Sequence, residues 1–517
     1  EAGDSQQGHG SNNEPYLGDS DDEVISNATD DRVYSSVDEV EPDYELHPIQ
    51  WSPNSSGLRH ITFKKEEKLL FPVSGDRPID FFFLLIDLIF LETIVRKTNA
   101  YAFELFCDPS TTLKSKITKW KDLTVEEFKI FLGLMIDMGL NPKSRLQDYW
   151  KKTKTFTPTY GKFMSRDRFL LILRCLHFSI SDQNDRLSKV RFLVDYFNNK
   201  MTQVYYPQKN LLLDDGMVLW RGRLYFRQDR KNKRHKYGIK LYTLCDPNGL
   251  TLKFLIYCGV LEDLGGKGHA ANVVLNLMQG KLGVGHSLYM DNYYNSILLA
   301  AKLLSKETYC TGTLRVDRKY IPADIKADNL TMGGTITRYG EGIMVGKWKD
   351  QRAIVYLSTE HENDMVTVIN KRKVKVLKPL PIVKYNGFMK GVDRSDQMQA
   401  YYPMERKTLQ WSKKMFIHTI QMMIVNAYYL FNKTFQIYRR KMGLHEFTES
   451  VKDDLLPDIP AVTRPLPRPT GHMIMKIAKK MGNTNRISSK KCCMCKKSTQ
   501  YKCLACLGQT FWLVEGM

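Results

Sequence analysis

The sequence predicts an α/β chain in which a sheet-bearing centre lies between two helical stretches. Three observations carry that expectation. Apolar residues recur at helical spacing from 78 to about 205, short β-prone runs take over from about 208, and a strong helical stripe returns at 412–432, with Phe416, Ile417, Ile420, Met423, Ile424 and Tyr428. With 517 residues, 43% hydrophobic and 26% charged, the chain has a globular composition and room for about three domains of ~150 residues each.

The elements follow in order. Residues 1–60 are rich in Asp, Glu, Ser, Asn and Gly and poor in aliphatics. Such a segment cannot bury enough surface to offset chain entropy, so a disordered acidic tail is expected there. Thr124-Val-Glu-Glu127 is a capping box ahead of the apolar run Phe128–Leu140. Ser165 can cap a helix carrying Phe169, Ile172, Leu173 and Leu176, and Val190, Leu193, Val194, Phe197 and Met201 mark the next. Core packing accounts for these stripes. The β-prone runs are Leu211–Leu213, Tyr237–Cys245, Leu252–Tyr257, Ser287–Met290 and Tyr309–Leu314, with helical stretches near 272–280 and 297–305 around the fourth. Three strands, then helix, strand, helix and strand, make a layered α/β arrangement. Residues 316–379 are a Lys/Arg-rich stretch of alternating strands, and residues 455–471 hold five Pro and read as a linker.

The net charge of +21 is unevenly spread. Residues 1–45 carry 14 Asp and Glu against one Arg, a net −13, which leaves +34 on the remainder. A strongly basic body attracts the phosphate backbone and gains from counterion release, so the expected partner is nucleic acid. The most apolar run, Phe81–Leu91, is 11 residues long and contains Asp87, whereas a membrane span takes about 20 apolar residues. No signal peptide is visible, and the Cys usage fits a reducing compartment, where clustered thiols point to metal before disulfide.

The candidate chemistry lies in carboxylates. Asp214 follows Leu211-Leu212-Leu213 and Asp291 follows Leu288-Tyr289-Met290, so each is expected at the end of a buried strand, rigid yet open to a ligand. Asp393 and Asp396 share the segment Lys390–Gln397, and on a helix their spacing puts both on one face. Carboxylates brought together repel, and cations make the grouping tolerable. Mg²⁺ (or Mn²⁺) takes oxygen ligands and keeps several waters, so two or three carboxylates suffice to hold it. Two such ions roughly 3.5–4 Å apart activate a water or 3′-hydroxyl and stabilise the leaving oxygen of a phosphodiester. A lone Asp at a strand end more often caps a turn; the order strand-Asp, strand-Asp, helix-Asp singles these out.

Leu213-Asp-Asp-Gly216, Trp220-Arg-Gly-Arg-Leu-Tyr-Phe226 and Lys236-Tyr-Gly-Ile-Lys240 resemble the first catalytic strand region of piggyBac-type transposases. Tyr289-Met-Asp-Asn-Tyr-Tyr-Asn-Ser296 resembles the second and Gly391-Val-Asp-Arg-Ser-Asp-Gln397 the third. Asp167-Arg-Phe169, Arg174–Phe178, Asp185–Arg191 and Gly312–Arg318 match as well, so the resemblance spans about 78–440 and the Cys-rich tail. It implies a ribonuclease H-like catalytic core with an inserted β-rich subdomain, flanked by a split helical domain and a short Cys-rich zinc segment. The implied divisions are a helical dimerisation and DNA-binding part at 78–207, core at 208–315, insertion at 316–379, core at 380–403, helical part at 404–454, linker at 455–487 and zinc segment at 488–517.

The resemblance also implies roles. Asp214, Asp291 and Asp393 would be the catalytic metal ligands, assisted by Asp396. The chemistry would be nicking at transposon ends, hairpin formation and strand transfer to TTAA sites, by a homodimer in the nucleus. Arg315 and Arg318 fall where family basic residues meet target DNA, with solvated loop charge as the alternative. Arg406, Lys407 and Trp411 fall near transposon-end bases, where a Trp face can stack; a helix-anchoring core aromatic is the alternative for Trp411. Asp215 stands where the family often has Glu.

Cys492-x-x-Cys495 and Cys503-x-x-Cys506 supply four thiolates for a tetrahedral Zn²⁺ site, with reduced unstructured thiols as the alternative. No Cys or His follows Cys506, so the second zinc site of the family's tail is expected to be absent. That shortened tail motivates a second reading, a domesticated DNA-binding protein that does not transpose. A glycosidase-type carboxylate pair needs only two acids, but the basic body disfavours it.

Overall fold

The apolar stripes of the helices and the buried strands close into one core that joins the helical and sheet regions. The computed structural model describes residues 48–458 other than 56, 74, 154–158, 179–184, 230–236, 260–263, 265–267, 370–372, 405–409 and 436–439, and beyond them 474–476, 490–491, 498–499 and 501–503. The chain divides into two units, Glu1–Pro457 and Asp458–Met517.

In the first unit a short strand β1 (Lys68–Leu69) precedes helices α1 (Pro78–Leu85), α2 (Leu88–Cys107), α3 (Val125–Leu140), α4 (Tyr160–Phe163), α5 (Arg166–Cys175) and α6 (Ser188–Val204). Thr124 caps α3 by accepting from the Glu127 N–H at 3.1 Å. The reciprocal half of the expected capping box is not made, because Glu127 instead takes a two-pronged bond from Arg168 at 2.7 and 2.6 Å. Ser165 caps α5 as expected.

Strands then dominate: β2 (Tyr205–Tyr206), β3 (Asn210–Leu219), β4 (Gln228–Asp229), β5 (Tyr237–Cys245) and β6 (Thr251–Ile256), followed by α7 (His269–Leu277), β7 (Ser287–Met290), α8 (Ile297–Ser305) and β8 (Tyr309–Thr313). After α9 (Ala323–Ala327) come β9 (Thr335–Gly340), β10 (Ile343–Lys349), β11 (Ala353–Ser358), β12 (Met365–Ile369) and β13 (Lys375–Pro379). The unit ends with α10 (Leu380–Phe388), α11 (Gly391–Tyr401), α12 (Trp411–Phe435) and α13 (Leu444–Leu455). One nine-stranded sheet has the order β4-β5-β3-β7-β8-β11-β10-β9, with β6 on β5. β3, β7 and β8 run parallel to their neighbours in that trio, and the remaining pairs are antiparallel. Residues 316–379, expected as an inserted subdomain, divide: β9–β11 extend this sheet through β8, and only β12–β13 form a sheet of their own.

Helices from the two ends of the unit meet. α12 packs on α1 and α6, and α13 on α3 and α1. α12 is buried almost all round, as a helix apolar on every face must be. Edge strand β6 is gripped by two asparagines. Asn198 on α6 bonds both the N–H and the C=O of Phe254 at 2.9 Å, and Asn426 on α12 does the same for Thr251 at 3.0 and 2.7 Å. Edge groups that would otherwise face outward are thereby satisfied.

The acidic tail expected over residues 1–60 lies outside the described residues up to 47, but from 48 onward the chain is built into the fold. Ser52 pairs with Tyr339 of β9 at 2.9 and 2.8 Å, and Ile49, Trp51 and Leu58 supply the apolar anchors that the upstream composition lacks. The second unit contains two short antiparallel pairs, β14 (Ile474–Lys476) with β17 (Tyr501–Cys503), and β15 (Lys490–Lys491) with β16 (Ser498–Thr499). Among the described residues no helix is long and apolar enough to cross a membrane.

His286 precedes β7 and is fully buried. Its Nδ1–H donates to the Lys209 carbonyl at 3.0 Å, which leaves Nε2 to accept from the Tyr206 hydroxyl at 3.1 Å. Burial pushes its pKa down from 6.5 to about 4. The unfolded chain therefore takes up this proton first as pH falls. The contribution is fully present above about pH 6.5 and is lost towards pH 4, by roughly 3 kcal/mol. Urea unfolding at stepped pH should show that loss in the parent protein, and His286→Gln should flatten that part of the curve.

Candidate active site

Strand register brings the first two acids together. β3 pairs with β7 in parallel, Leu212 opposite Tyr289 and Leu213 opposite Met290. β7 ends at Met290, and continuing the register sets Asp291 opposite Asp214. The two-residue period of a strand puts Asp214 on the face of Leu212, and Asp291 on the face of Tyr289. Asp214 itself is not at a strand end, as expected from the sequence, but inside β3. That strand runs on to Leu219 because its antiparallel partner β5 stays paired, while the parallel partner stops.

This face is covered by α10 and α11. Leu212, Cys245, Tyr289, Tyr385, Met389 and Val392 form one buried cluster. Gly391, the first residue of α11, lies so close to Leu212 and the Asp246 carbonyl that a Cβ would overlap both. The helix bearing Asp393 and Asp396 is thus seated on the strand bearing Asp214.

The electrostatics follow this placement. Asp291 is raised to about 7, first by burial and then by the charges of Asp214 and Asp215. The Tyr293 N–H, 3.0 Å from its Oδ1, and the Lys240 ammonium oppose the shift. Burial and the charges of Asp291 and Asp214 push the Tyr385 phenol up. Burial pushes the Cys245 thiol up, and the charges of Asp246, Asp396 and Asp214 add to it. Asp214 therefore shares Tyr385 with Asp291 and Cys245 with Asp396.

Asp393 and Asp396 are exposed on α11, whereas Asp214 and Asp291 are half-buried. Among the described residues no three His, Cys, Asp or Glu side chains are drawn into a ready-made metal shell. Like charges gathered on one face repel, and a cation would make the grouping tolerable. The donor set fits a hard cation. It is all carboxylate oxygen, and Asp291 holds its proton towards neutral pH because it is buried and because Asp214 faces it.

Asp215 does different work. The strand period turns it to the opposite face, where Lys240 Nζ lies 2.9 Å away and the two side chains are 10% and 3% exposed. The Tyr294 hydroxyl donates to the same carboxylate. The Lys240 ammonium also lies over the rings of Tyr242 and Tyr293, at 4.6 and 4.4 Å. Tyr242 in turn bonds His269 Nε2 at 2.7 Å, and His269 Nδ1–H donates to the Leu264 carbonyl at 2.9 Å.

Sequence reasoning missed this anchoring network. Its signal was a lysine in the otherwise apolar run Tyr237–Cys245.

The loop after Asp291 is pinned from two sides. Asn295 donates to the Met290 and Thr313 carbonyls, both at 2.9 Å. Arg318 donates to the Tyr293 carbonyl at 2.6 Å. Gly312 permits the close approach, since a Cβ there would overlap the Met290 carbonyl oxygen.

Arg318, 9% exposed, therefore sits beneath the Asp291 loop. Arg315 pairs with Asp317 at 2.8 Å. Trp411 opens α12 half-buried, edge-on to Phe226 at 5.5 Å. Arg406 and Lys407 lie outside the described residues, as do Cys492, Cys495 and Cys506; of Cys503 only the backbone, in β17, is described.

Comparison with known proteins yields consistent matches. The Transposase IS4 family matches residues 77–428. The chain is similar to human PiggyBac transposable element-derived protein 3, at 26% identity over 92% of this chain and 85% of that protein. It is also similar to human PiggyBac transposable element-derived protein 5, at 23% identity over 73% of this chain and 75% of that protein. Among solved structures it resembles a piggyBac transposase in a synaptic complex with hairpin DNA, with TM-score 0.67, 22% identity, and coverage of 85% of this chain and 96% of that one.

The Lys240–Asp215 pair supplies a test independent of any activity. Lys240→Met leaves a buried carboxylate without its cation and should cost about 3–5 kcal/mol in chemical unfolding. Adding Asp215→Asn, which keeps an acceptor for Tyr294, should restore most of that loss; equal stability of parent and single variant would disprove the anchoring role.

Proposed function

Because the chain belongs to the Transposase IS4 family, and within it to the piggyBac type, we propose that it cuts double-stranded DNA at transposon ends and joins the freed 3′-hydroxyls to TTAA targets. The observation that carries this reading is the register-matched pair Asp214 and Asp291, lying under the helix that bears Asp393 and Asp396. The strand order β6-β5-β3-β7-β8 supports a ribonuclease H-like core. Asp214, Asp291 and Asp393 would hold two Mg²⁺ or Mn²⁺, with Asp396 assisting. When bound, such ions supply Lewis acidity to a water or 3′-hydroxyl and stabilise charge on the leaving oxygen.

The chain's own residues set the stage for that chemistry. Asp214 is fixed by its antiparallel pairing with Thr243 of β5, and Asp291 by the Tyr293 N–H and the pinned loop behind it. Tyr385 and the apolar cluster around it close the floor beneath the acids against water. The basic body draws the duplex in. The helices that meet from both ends of the first unit would carry DNA binding and dimerisation. Zinc at Cys492, Cys495, Cys503 and Cys506, and a nuclear location, belong to the same reading.

A second reading is a domesticated DNA-binding protein that does not transpose; the similarity to human transposable element-derived proteins supports it. Cleavage of supercoiled or hairpin DNA separates the two. Purified protein with Mg²⁺ or Mn²⁺ is expected to nick, and Asp291→Asn to reduce nicking to background. Equal cutting by parent and variant sinks the enzymatic reading; salt-sensitive DNA binding without strand transfer selects the second.

A further inference from the structure

We propose that the β12–β13 hairpin is an arm that enters the major groove of the duplex beside the acid-bearing face. The inference rests on the DNA reading above and adds a place where the duplex is gripped. Among the described residues β12 and β13 pair only with each other, Val366 opposite Lys378 and Ile369 opposite Lys375, apart from the nine-stranded sheet.

The hairpin has two unlike faces. Val366, Val368 and Val376 are half-buried, and the Lys378 ammonium lies 5.9 Å over the Trp348 ring. At its base Met365 packs on Tyr339, Trp348, Tyr356 and Ile382. The other face is open: Thr367 and Lys375 are exposed and Ile369 and Leu377 are 66% and 56% exposed, and just before β13 Lys373 is exposed and Val374 is 54% exposed. Three aliphatics this open on one small element call for a partner.

The charge says which partner. Lys371-Arg-Lys-Val-Lys-Val-Leu-Lys378 contains five basic residues and no acid. An anionic surface that also offers apolar spots fits both properties. The major groove of B-DNA, about 12 Å wide, admits a two-stranded ribbon between phosphate rails and presents thymine methyls on its floor. A second copy of the chain fits poorly, because pairing two such ribbons would set like charges opposite one another.

The position agrees. β13 runs through Pro379 into α10, whose Tyr385 lies beside Asp214 and Asp291, and α11 with Asp393 follows directly. A duplex held at the acids would pass an arm that continues directly into their cover.

Fluorescence anisotropy of a labelled duplex, titrated with salt, tests this. Lys373→Ser/Lys375→Ser should weaken binding about tenfold and lower the slope of log Kobs against log salt by about 2. Ile369→Asp/Leu377→Asp, which puts acids on the open face, should weaken binding as well, and serves if the first variant does not fold. A parent that binds no duplex overturns the DNA reading itself. A parent that binds, with both variants matching its Kd and slope, overturns the arm alone. Unchanged DNA affinity with loss of self-association in sedimentation assigns the face to protein contact and overturns it equally.

Discussion

The parallel pairing of β3 with β7 is the constraint on which the rest of the site depends. It involves four residues of each strand, yet it sets two carboxylates side by side at a place where the chain cannot easily solvate both. Everything nearby answers that crowding. Asp291 holds its proton, the loop behind it is tied by Asn295 and Arg318, and the strand carrying Asp214 is nailed down from behind by Lys240. Consecutive residues of a strand face opposite ways. Asp214 and Asp215 therefore divide the labour, one towards the open face and one towards the anchor.

Rigid placement needs a rigid frame. The sheet is held on its far edge by asparagines from α6 and α12, which belong to the two ends of the first unit. The same two helices pack on one another. A displacement of the helical body would therefore be felt at β6, and through β5 at the strand that carries Asp214. Buried hydrogen-bonded amides are well suited to such a link because their directionality fixes register where apolar packing alone would slide.

Much of this was legible in the sequence, and what was not has a common cause. The strands β5, β7 and β8, the caps Thr124 and Ser165, and the buried α12 follow from local periodicity and side-chain chemistry, which the sequence displays directly. Asp291 at a strand end was legible for the same reason. Asp214 inside its strand was not, because where a strand stops depends on which neighbour keeps pairing. The Lys240–Asp215 bond depends on the register of β3 against β5, and the burial of Arg318 on a loop closing over it; both are non-local. The course of β9–β11 was missed likewise: alternating strands announce themselves, but not the sheet they join.

The leading strap bears on where this protein begins as a physical object. The family match starts at residue 77, but residues upstream are stitched to the body at several points. The Lys64 N–H bonds the Val284 carbonyl at 2.9 Å, the Leu70 N–H bonds the Val204 carbonyl at 2.7 Å, and the Glu67 carboxylate holds Lys433 of α12. Paring the chain back to its homologous segment would strip cover from β9 and take the carboxylate from a half-buried ammonium. The smallest piece able to stand alone is thus set by mechanical seams rather than by kinship, and it includes the segment from Ile49, whose side chain packs against the core.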